Sequence, residues 1–380
     1  MFTDIEIRNF GAFPANGQHV PLGNITYIVG PNNSGKSTIL SAFLSLATIP
    51  LRHGAQLPAV NSVKPTSAGG NFVTPFFGPQ AFSRNDELYE FLKFQNGSDA
   101  TFAKKRDDSM FFGLSGAFSD GNAKFGLFLR GYPDFRSFNL VLDGSEEACK
   151  SLYSALANTW VFPSNRTFAG PSLQVGTRNA NNLGFGQSGS NMIQFLLEKY
   201  TSRDSRWESA EEWLRKIDPN VELLKSPLRG LFASVETTIK LQDESFDINI
   251  TQSGSGIQRA LQIICAIVFS ENNSVIIIEE PEMNLHPSAQ EVLVDLFNTA
   301  ANEWRKQIII TTHSWDMILE IYSDIGLQSK GRGSSHVRTN GENFRMAKLS
   351  SQNGKAEVES YDMAKKTFDQ LKSDFKRLWG

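Results

Sequence analysis

Residues 30–38 carry the sequence feature that most limits what this chain can fold into. They read Gly-Pro-Asn-Asn-Ser-Gly-Lys-Ser-Thr and fit the pattern G-x-x-x-x-G-K-S. An apolar run at residues 25–29 precedes the segment, and another at residues 39–46 follows it. A strand, a glycine-rich loop and a helix in that order are typical of a loop that binds phosphate. The alternative is a glycine turn that carries Lys and Ser by chance, and it leaves the two flanking runs unexplained.

Each residue type in this loop suits a bound phosphate group. Two glycines permit a tight backbone curl, and the N–H groups of the loop then point at the α- and β-phosphates. Lys36 places a cation on the β- and γ-phosphates, and Ser37 offers its hydroxyl to Mg²⁺. We therefore predict a site for ATP and Mg²⁺. The predicted binding residues are Gly30, Asn32, Asn33, Ser34, Gly35, Lys36, Ser37 and Thr38.

Composition narrows the class of protein. The 380 residues are 40% hydrophobic, which is enough for one large domain or two modest ones. A net charge of −3 argues against a generally basic nucleic-acid binder, although a local basic groove stays open. Cys149 and Cys265 are far apart and lack metal-ligand spacing, so we expect buried thiols. No signal peptide is apparent and the apolar runs are too short to span a bilayer, so we predict a cytoplasmic protein without a membrane segment.

The pattern along the chain predicts strands and helices in an α/β fold. Residues 2–8 alternate and predict an edge strand. Short Phe-rich runs between residues 85 and 142 predict an antiparallel sheet; an aromatic platform for nucleic acid is the alternative, but Lys and Arg are sparse there. Residues 191–217 have helical periodicity, and residues 344–358 and 362–378 predict a hairpin and a final charged helix.

Two carboxylates follow a second apolar strand. Residues 275–278 are Val-Ile-Ile-Ile, which predicts a strand buried on both faces. Glu279 and Glu280 come directly after it, at the edge where α/β sheets place ligands. We predict that Glu279 orders Mg²⁺ and that Glu280 orients and deprotonates the attacking water. An acidic strand end that caps a helix is the alternative.

Two further segments are candidate parts of the site. Ser255 and Gly256 open an amphipathic helix, whose free N–H groups could bind a second anion; an ordinary N-cap by Ser255 is the alternative. His313 follows the apolar strand at residues 308–312 and could contact the γ-phosphate. A structural histidine is the alternative there.

Taken in order, these motifs resemble ABC-type ATPases, and in particular the branch that includes SMC, RecF and OLD proteins. Residues 5–13, Ile-Glu-Ile-Arg-Asn-Phe-Gly-Ala-Phe, are similar to the first strand and loop of that branch. Residues 279–287 and 311–314 closely match OLD-type ATPase domains. The resemblance covers residues 1–50 and 245–325 well and is weak over residues 55–240.

The resemblance implies a P-loop NTPase with an antiparallel β subdomain, a mostly parallel core sheet and a helical insertion. Residues 1–165 would form the N-terminal part of the head, 166–235 the helical insertion, 236–330 the C-terminal part, and 331–380 an extension that docks a partner or completes the core. Ser255 and Gly256 would match the signature loop, which closes on ATP held by the opposite protomer. Residues 284–287 would be the D-loop, and His313 the switch histidine.

The sequence departs from the family pattern at three places. The Mg²⁺-ordering acid is usually Asp and here is Glu279. The signature lacks a clean L-S-G-G-Q, and no long heptad arm separates the halves, so a true SMC protein is not expected. We also expect neither the Toprim nuclease of OLD proteins nor an HNH nuclease, since the necessary acidic and histidine clusters are missing from the sequence.

The resemblance predicts an ATPase that forms a homodimer or higher oligomer through its ATP sites. Free-standing OLD-like ATPases resemble components of bacterial anti-phage defence, so we expect a separately encoded effector, a nuclease or toxin. A RecF- or SMC-like ATPase for DNA repair or DNA ends is one alternative. It needs a basic groove, for which residues 104–106 and 365–366 are the compact clusters. An ATP-locked scaffold that hydrolyses very slowly is the other.

Overall fold

The structure of the chain is a computed structural model. It describes residues 1–53, 71–72, 109–130, 137–162, 173–174, 192–223, 228–229, 232–233, 236–241, 244–314, 317–318, 344–352 and 355–362. The chain divides into two compact units. The first contains Met1–Thr159 and Gly341–Gly380, and the second contains Trp160–Asn340.

The described residues form strands and α-helices with the following bounds. The strands are β1 (Phe2–Arg8), β2 (Gln18–Pro21), β3 (Ile25–Val29), β4 (Asn71–Phe72), β5 (Ser109–Phe118), β6 (Gly121–Arg130), β7 (Ser137–Gly144), β8 (Thr159–Phe162), β9 (Leu173–Gln174), β10 (Val221–Leu223), β11 (Leu228–Arg229), β12 (Phe232–Ala233), β13 (Glu236–Leu241), β14 (Glu244–Asn249), β15 (Val275–Glu279), β16 (Gln307–Thr312), β17 (Phe344–Gln352) and β18 (Lys355–Asp362). The helices are α1 (Lys36–His53), α2 (Glu146–Ala157), α3 (Met192–Thr201), α4 (Trp207–Ile217), α5 (Ser255–Phe269) and α6 (Pro287–Asn302). None of these described helices is long and apolar enough to cross a membrane.

The first unit contains an antiparallel sheet in the order β2-β1-β5-β6-β7-β4. Its inner face is apolar: Ile5 pairs with Leu114, and Ile7 pairs with Phe112. Helix α2 covers β6, where Tyr153 meets a phenylalanine ring edge-to-face at 5.7 Å. The predicted antiparallel sheet is therefore confirmed. The prediction that residues 2–8 form an edge strand is wrong, because β2 takes the edge and β1 lies between β2 and β5.

The strand that enters the phosphate loop also lies in the first unit. All five residues of β3 are buried. Strand β17 runs parallel to β3, with Phe344 opposite Ile25, and β18 pairs antiparallel with β17. The hairpin predicted near residues 344–358 therefore extends the sheet beside β3. The helix predicted at residues 362–378 lies outside the described residues beyond Asp362.

The second unit contains the strand with the paired carboxylates. Strands β15 and β16 are parallel and fully buried, with Ile277 opposite Ile309, and β8 borders β15. A long stretch of α5, from Arg259 to Phe269, is buried, as expected for a helix that packs on a sheet. Helices α3 and α4 lie in the predicted helical region, and α4 turns Trp213 inward. The α/β class with an antiparallel sheet and mostly parallel core strands is thus present.

The predicted domain boundaries do not coincide with the boundaries of the two compact units. The boundary between residues 235 and 236 falls inside a small antiparallel sheet, because β10 pairs with β13. Residues 344–362, predicted as part of an extension, belong to the first unit. The predicted division into four segments stays a prediction.

Candidate functional site

The phosphate loop, residues 30–38, joins β3 to α1 in the first unit. Asn33 and Gly35 have left-handed backbones, with φ of 63° and 103°. Gly35 tolerates this conformation without strain because it has no Cβ. At Gly30, an added Cβ would lie 2.5 Å from the carbonyl oxygen of Leu349. Both glycines are therefore required by the path of the backbone.

The Lys36 side chain folds back over the start of the loop. Its Nζ donates to the carbonyl oxygens of Gly30 at 2.6 Å and Pro31 at 2.8 Å. The Oγ of Ser34 is buried and has no hydrogen-bond partner within the described residues. A buried hydroxyl without a partner is costly, so the loop has a polar group that a phosphate oxygen would satisfy.

The remaining loop residues differ in exposure. Asn32, Asn33 and Ser37 are exposed, and Thr38 is half-buried. The loop after β1 packs against this segment: a Cβ at Gly11, whose φ is 54°, would lie 2.7 Å from the side chain of Thr38. The first strand and the phosphate loop therefore form one packed structure.

Strand β15 ends in the two predicted carboxylates. Glu279 is buried, whereas Glu280 has a left-handed backbone with φ of 45°. The N–H of Glu280 donates to the Thr311 carbonyl oxygen at 2.7 Å, and Oε1 of Glu280 lies 3.2 Å from Nδ1 of His313. A left-handed backbone at a non-glycine residue costs about 1 kcal/mol or more, and such strain is common at functional sites. The structure thus brings Glu280 and His313 together.

Arg259 of α5 holds the same strand end from the other side. Its guanidinium Nη2 donates to the carbonyl oxygens of Glu279 at 2.7 Å and Glu280 at 2.6 Å. Arg259 is 8% exposed, and burial lowers its pKa, while the nearby carboxylates of Glu282, Glu280 and Glu279 act against that shift. The two hydrogen bonds fix the backbone on both sides of the strained residue.

Glu282 is a third carboxyl at this strand end. Its Oε1 accepts from the Thr312 hydroxyl at 2.6 Å and from the His313 backbone N–H at 3.2 Å. Burial raises the pKa of Glu282 above its ordinary value, and these two hydrogen bonds act in the opposite direction. The side chain is 6% exposed, so its hydrogen bonds form away from water.

The helix that follows the Ser/Gly segment begins at Ser255, one residue earlier than it would if Ser255 were the N-cap. Gly254 is the N-cap, without a side-chain cap bond, and Ser255 is the first helical residue. A Cβ at Gly256 would lie 2.4 Å from the carbonyl oxygen of Asn284. The structure therefore packs the Ser/Gly segment against the loop at residues 284–287.

Sequence reasoning missed Arg259 and Glu282 as site residues. Arg259 lies one turn after Ser255 on α5. This spacing indicates that Arg259 is near the Ser/Gly segment, but it does not reveal the carbonyl oxygens to which Arg259 donates. Glu282 lies within the acidic motif, but nothing in its spacing reveals the hydrogen bond to Thr312. These roles depend on strands that meet only in the folded chain.

The residues present suit Mg²⁺ held together with phosphate. Within the described ranges, no group of three or more His, Cys, Asp or Glu could hold a metal ion. Mg²⁺ commonly takes one or two protein oxygens plus phosphate oxygens and water. The Ser37 hydroxyl in the first unit and the Glu279 carboxylate in the second unit are each of the ligand type that Mg²⁺ takes.

These features together define a class of protein. A phosphate loop between a buried strand and a helix, and parallel strands that end in paired carboxylates and a histidine, are typical of a P-loop NTPase. Residues 25–320 match the family described as "AAA domain, putative AbiEii toxin, Type IV TA system". The chain belongs to this family of AAA ATPase domains, and its motifs are consistent with an OLD-like or SMC-like ABC ATPase.

The chain is also similar to individual known proteins. It is 27% identical to OLD nuclease of Thermus scotoductus over 335 residues, which cover 83% of this chain and 59% of that protein. The chain therefore spans less than two thirds of that relative's length. Its fold is similar to an Smc head bound to the C-winged helix domain of ScpA, with a TM-score of 0.57, 13% identity and coverage of 97% and 99%. An Smc head of Pyrococcus yayanosii gives a TM-score of 0.56 at 10% identity, with coverage of 100% and 99%. These two likenesses show the fold.

Proposed function

We propose that the chain binds and hydrolyses ATP, and that ATP joins two copies of it through shared sites. The observation that carries this proposal is the contact between Glu280 and His313, 3.2 Å apart at neighbouring strand ends. A carboxylate held beside a histidine can orient a water molecule and accept its proton. Membership of a family of P-loop ATPases supports the same chemistry.

Each predicted residue then has one task. Lys36 and the N–H groups of the loop hold the β- and γ-phosphates. Ser37 and Glu279 would hold Mg²⁺, which would neutralise charge on the phosphate oxygens. Glu280 accepts the proton of the attacking water, and His313 contacts the γ-phosphate.

The Ser/Gly segment would complete the site of the partner copy. Ser255 is exposed at the start of the 15-residue helix α5, where free N–H groups favour an anion. Gly256 packs on the carbonyl oxygen of Asn284, so this helix start and the loop at residues 284–287 would move as one surface. ATP would favour the closed dimer, and hydrolysis would release it.

Steady-state ATP turnover tests the hydrolysis. Glu280→Gln should lower kcat by a factor of about 10² or more because the proton acceptor is lost. Lys36→Ala should abolish ATP binding. Glu291→Gln and Lys150→Ala, at exposed positions on α6 and α2, are the matched controls. A wild-type rate no higher than that of Glu280→Gln would contradict hydrolysis and favour the ATP-locked scaffold.

Mixing two inactive variants tests the shared site. Lys36→Ala lacks the phosphate-binding cation, and Ser255→Arg blocks the Ser/Gly segment. A mixed dimer would contain one intact site, so random pairing should restore roughly a quarter of the wild-type rate if a C2 dimer forms. No recovery on mixing, with each variant folded, would contradict a site built from two copies.

We further propose that the dimer regulates a separately encoded effector, a nuclease or toxin, in bacterial anti-phage defence. The support is that one relative is called a nuclease and that the family's description names a toxin. Co-expression with the genomic neighbours, followed by purification, tests this. A nuclease or toxin bound at fixed stoichiometry would support the proposal, whereas nuclease activity in the chain by itself would contradict a separate effector.

DNA binding is the competing outcome of the same experiments. The basic clusters predicted for it, residues 104–106 and 365–366, lie outside the described residues. A filter-binding titration at increasing salt would decide. Tight, ATP-dependent and steeply salt-sensitive binding would favour a DNA-repair or DNA-end ATPase.

A further inference from the structure

The buried carboxyl of Glu282 is joined to His313 through the last residue of β16. Its Oε1 accepts from the Thr312 hydroxyl at 2.6 Å and from the His313 N–H at 3.2 Å, and Nδ1 of His313 lies 3.7 Å away. One carboxyl oxygen therefore meets the side chain of one residue and both the backbone and the ring of the next.

The Thr312 hydroxyl has hydrogen bonds on two sides. Its Oγ1 accepts from the N–H of Ser314 at 2.9 Å, and its hydrogen is donated to Oε1 of Glu282. The Ser314 hydroxyl in turn donates to Gln290 Oε1 at 3.0 Å, and Gln290 Nε2 donates to the Leu285 carbonyl oxygen at 3.1 Å. Because a backbone N–H can only donate, the His313 N–H also requires an acceptor at Oε1 of Glu282.

Loss of that acceptor would release the end of β16. The His313 side chain is 46% exposed, so little packing holds its ring in place. The buried Thr312 hydroxyl and the His313 N–H would each lose their acceptor, and the backbone would move to relieve that cost. A displacement of about 1 Å at a reacting group can lower a rate by about 100-fold.

We propose that Glu282 is a positioning residue: its buried Oε1 holds Thr312 and the His313 N–H so that the His313 ring stays against Glu280. This inference rests on the proposed ATP hydrolysis. In this role Glu282 makes no contact with substrate. Its acceptor oxygen, rather than its negative charge, is what positions His313.

Two substitutions of Glu282 by side chains of similar length distinguish the effect of the acceptor oxygen from the effect of side-chain volume. Glu282→Gln keeps an oxygen acceptor, so kcat should stay within about threefold of wild type. Glu282→Met fills the space without an acceptor, so kcat should fall by about 30- to 100-fold, while the KM for ATP changes little because Lys36 and Ser37 are intact. Glu291→Met, at an exposed carboxylate on α6, is the control. Equal kcat values for the Gln and Met variants would overturn the proposal.

A second pair covers the case in which Glu282→Met does not fold. Thr312→Ser keeps the hydroxyl that donates to Glu282, whereas Thr312→Val removes it at similar volume. The Val variant should lose at least about tenfold in kcat relative to the Ser variant. Equal rates for these two folded variants would overturn the proposal in the same way.

NMR of the histidine rings separates failure of this proposal from failure of the proposed function. The chain has five histidines, and the His313 resonances are assigned by His313→Gln. The His313 ring shifts should move in Glu282→Met and stay near wild type in Glu282→Gln, whether or not the chain hydrolyses ATP. Absent turnover with this pattern would reject hydrolysis alone; unchanged His313 shifts in the Met variant would reject the positioning role.

Discussion

Replacement of Arg259 by Met should weaken both the fold and catalysis. The wild-type guanidinium donates to the carbonyl oxygens on the two sides of the strained residue Glu280, at 2.7 Å and 2.6 Å. Met retains most of the apolar stem and removes both donors. The Glu280 backbone would then be free to leave the left-handed conformation.

The magnitude follows from those two bonds. A hydrogen bond to a charged group contributes about 1.5–3 kcal/mol, and relief of the buried charge offsets part of the loss, so we expect the free energy of unfolding to fall by about 3 kcal/mol. The conformation at Glu280 stores about 1 kcal/mol or more of strain, which the substitution would release. A rotation that displaces the Glu280 carboxylate by about 1 Å should lower kcat by about 100-fold. Arg259→Lys keeps the charge but not the fork of donors, so its losses should be intermediate.

Denaturant unfolding and steady-state ATP turnover measure the two effects separately. Arg215→Met, on the exposed face of α4, is the matched control and should change stability by less than about 0.5 kcal/mol. A destabilised Arg259→Met variant with wild-type kcat would refute the positioning of Glu280 by Arg259. An Arg259→Met variant with both wild-type kcat and wild-type stability would also contradict a stabilising contribution from the two hydrogen bonds.

Other predictions concern helix ends and one buried lysine. Gly256→Ala should lower the free energy of unfolding by about 1–3 kcal/mol, because the new Cβ would lie 2.4 Å from the Asn284 carbonyl oxygen. Gly254→Ala adds a Cβ that meets nothing within 4 Å, so it should change the free energy of unfolding by less than about 1 kcal/mol; equal losses for the two variants in urea unfolding would contradict the Asn284 contact. Ser145→Ala should cost about 1 kcal/mol by the same assay, since the Ser145 side chain caps α2. Burial lowers the pKa of Lys306 to about 8. Above pH 8 the unfolded chain therefore binds more protons on this group, and wild-type stability should rise relative to Lys306→Met by up to about 1.4 kcal/mol per pH unit. A difference that stays flat from pH 8 to about 10 would contradict that lowered pKa.

Motif chemistry made the phosphate loop and the two strand ends predictable. Gly35 needs a left-handed backbone that few other residues adopt, and its spacing from Lys36 is a property of neighbours in the chain. Strands β15 and β16 are continuous apolar runs, as expected for strands buried on both faces. Such signals act over a few residues, so the sequence alone reveals them.

Strand neighbours could not be predicted in the same way. The alternation in β1 indicates one buried face and is equally compatible with an edge or an inner strand. Its inner position depends on β5, where Ile5 meets Leu114, more than a hundred residues later. Likewise β17 lies beside β3 because Phe344 pairs with Ile25 across most of the chain.

The sequence by itself determined the parts of the proposed ATP site: a loop for phosphate, carboxylates after one buried strand and a histidine after another. Only the tertiary structure decided which groups hold those parts in position. Arg259 reaches Glu279 across 20 positions, and Thr312 reaches Glu282 across 30. The physical reason is that a turn or a strand is stabilised by adjacent residues, whereas a buried polar side chain takes whichever partner the packed elements bring within hydrogen-bond distance.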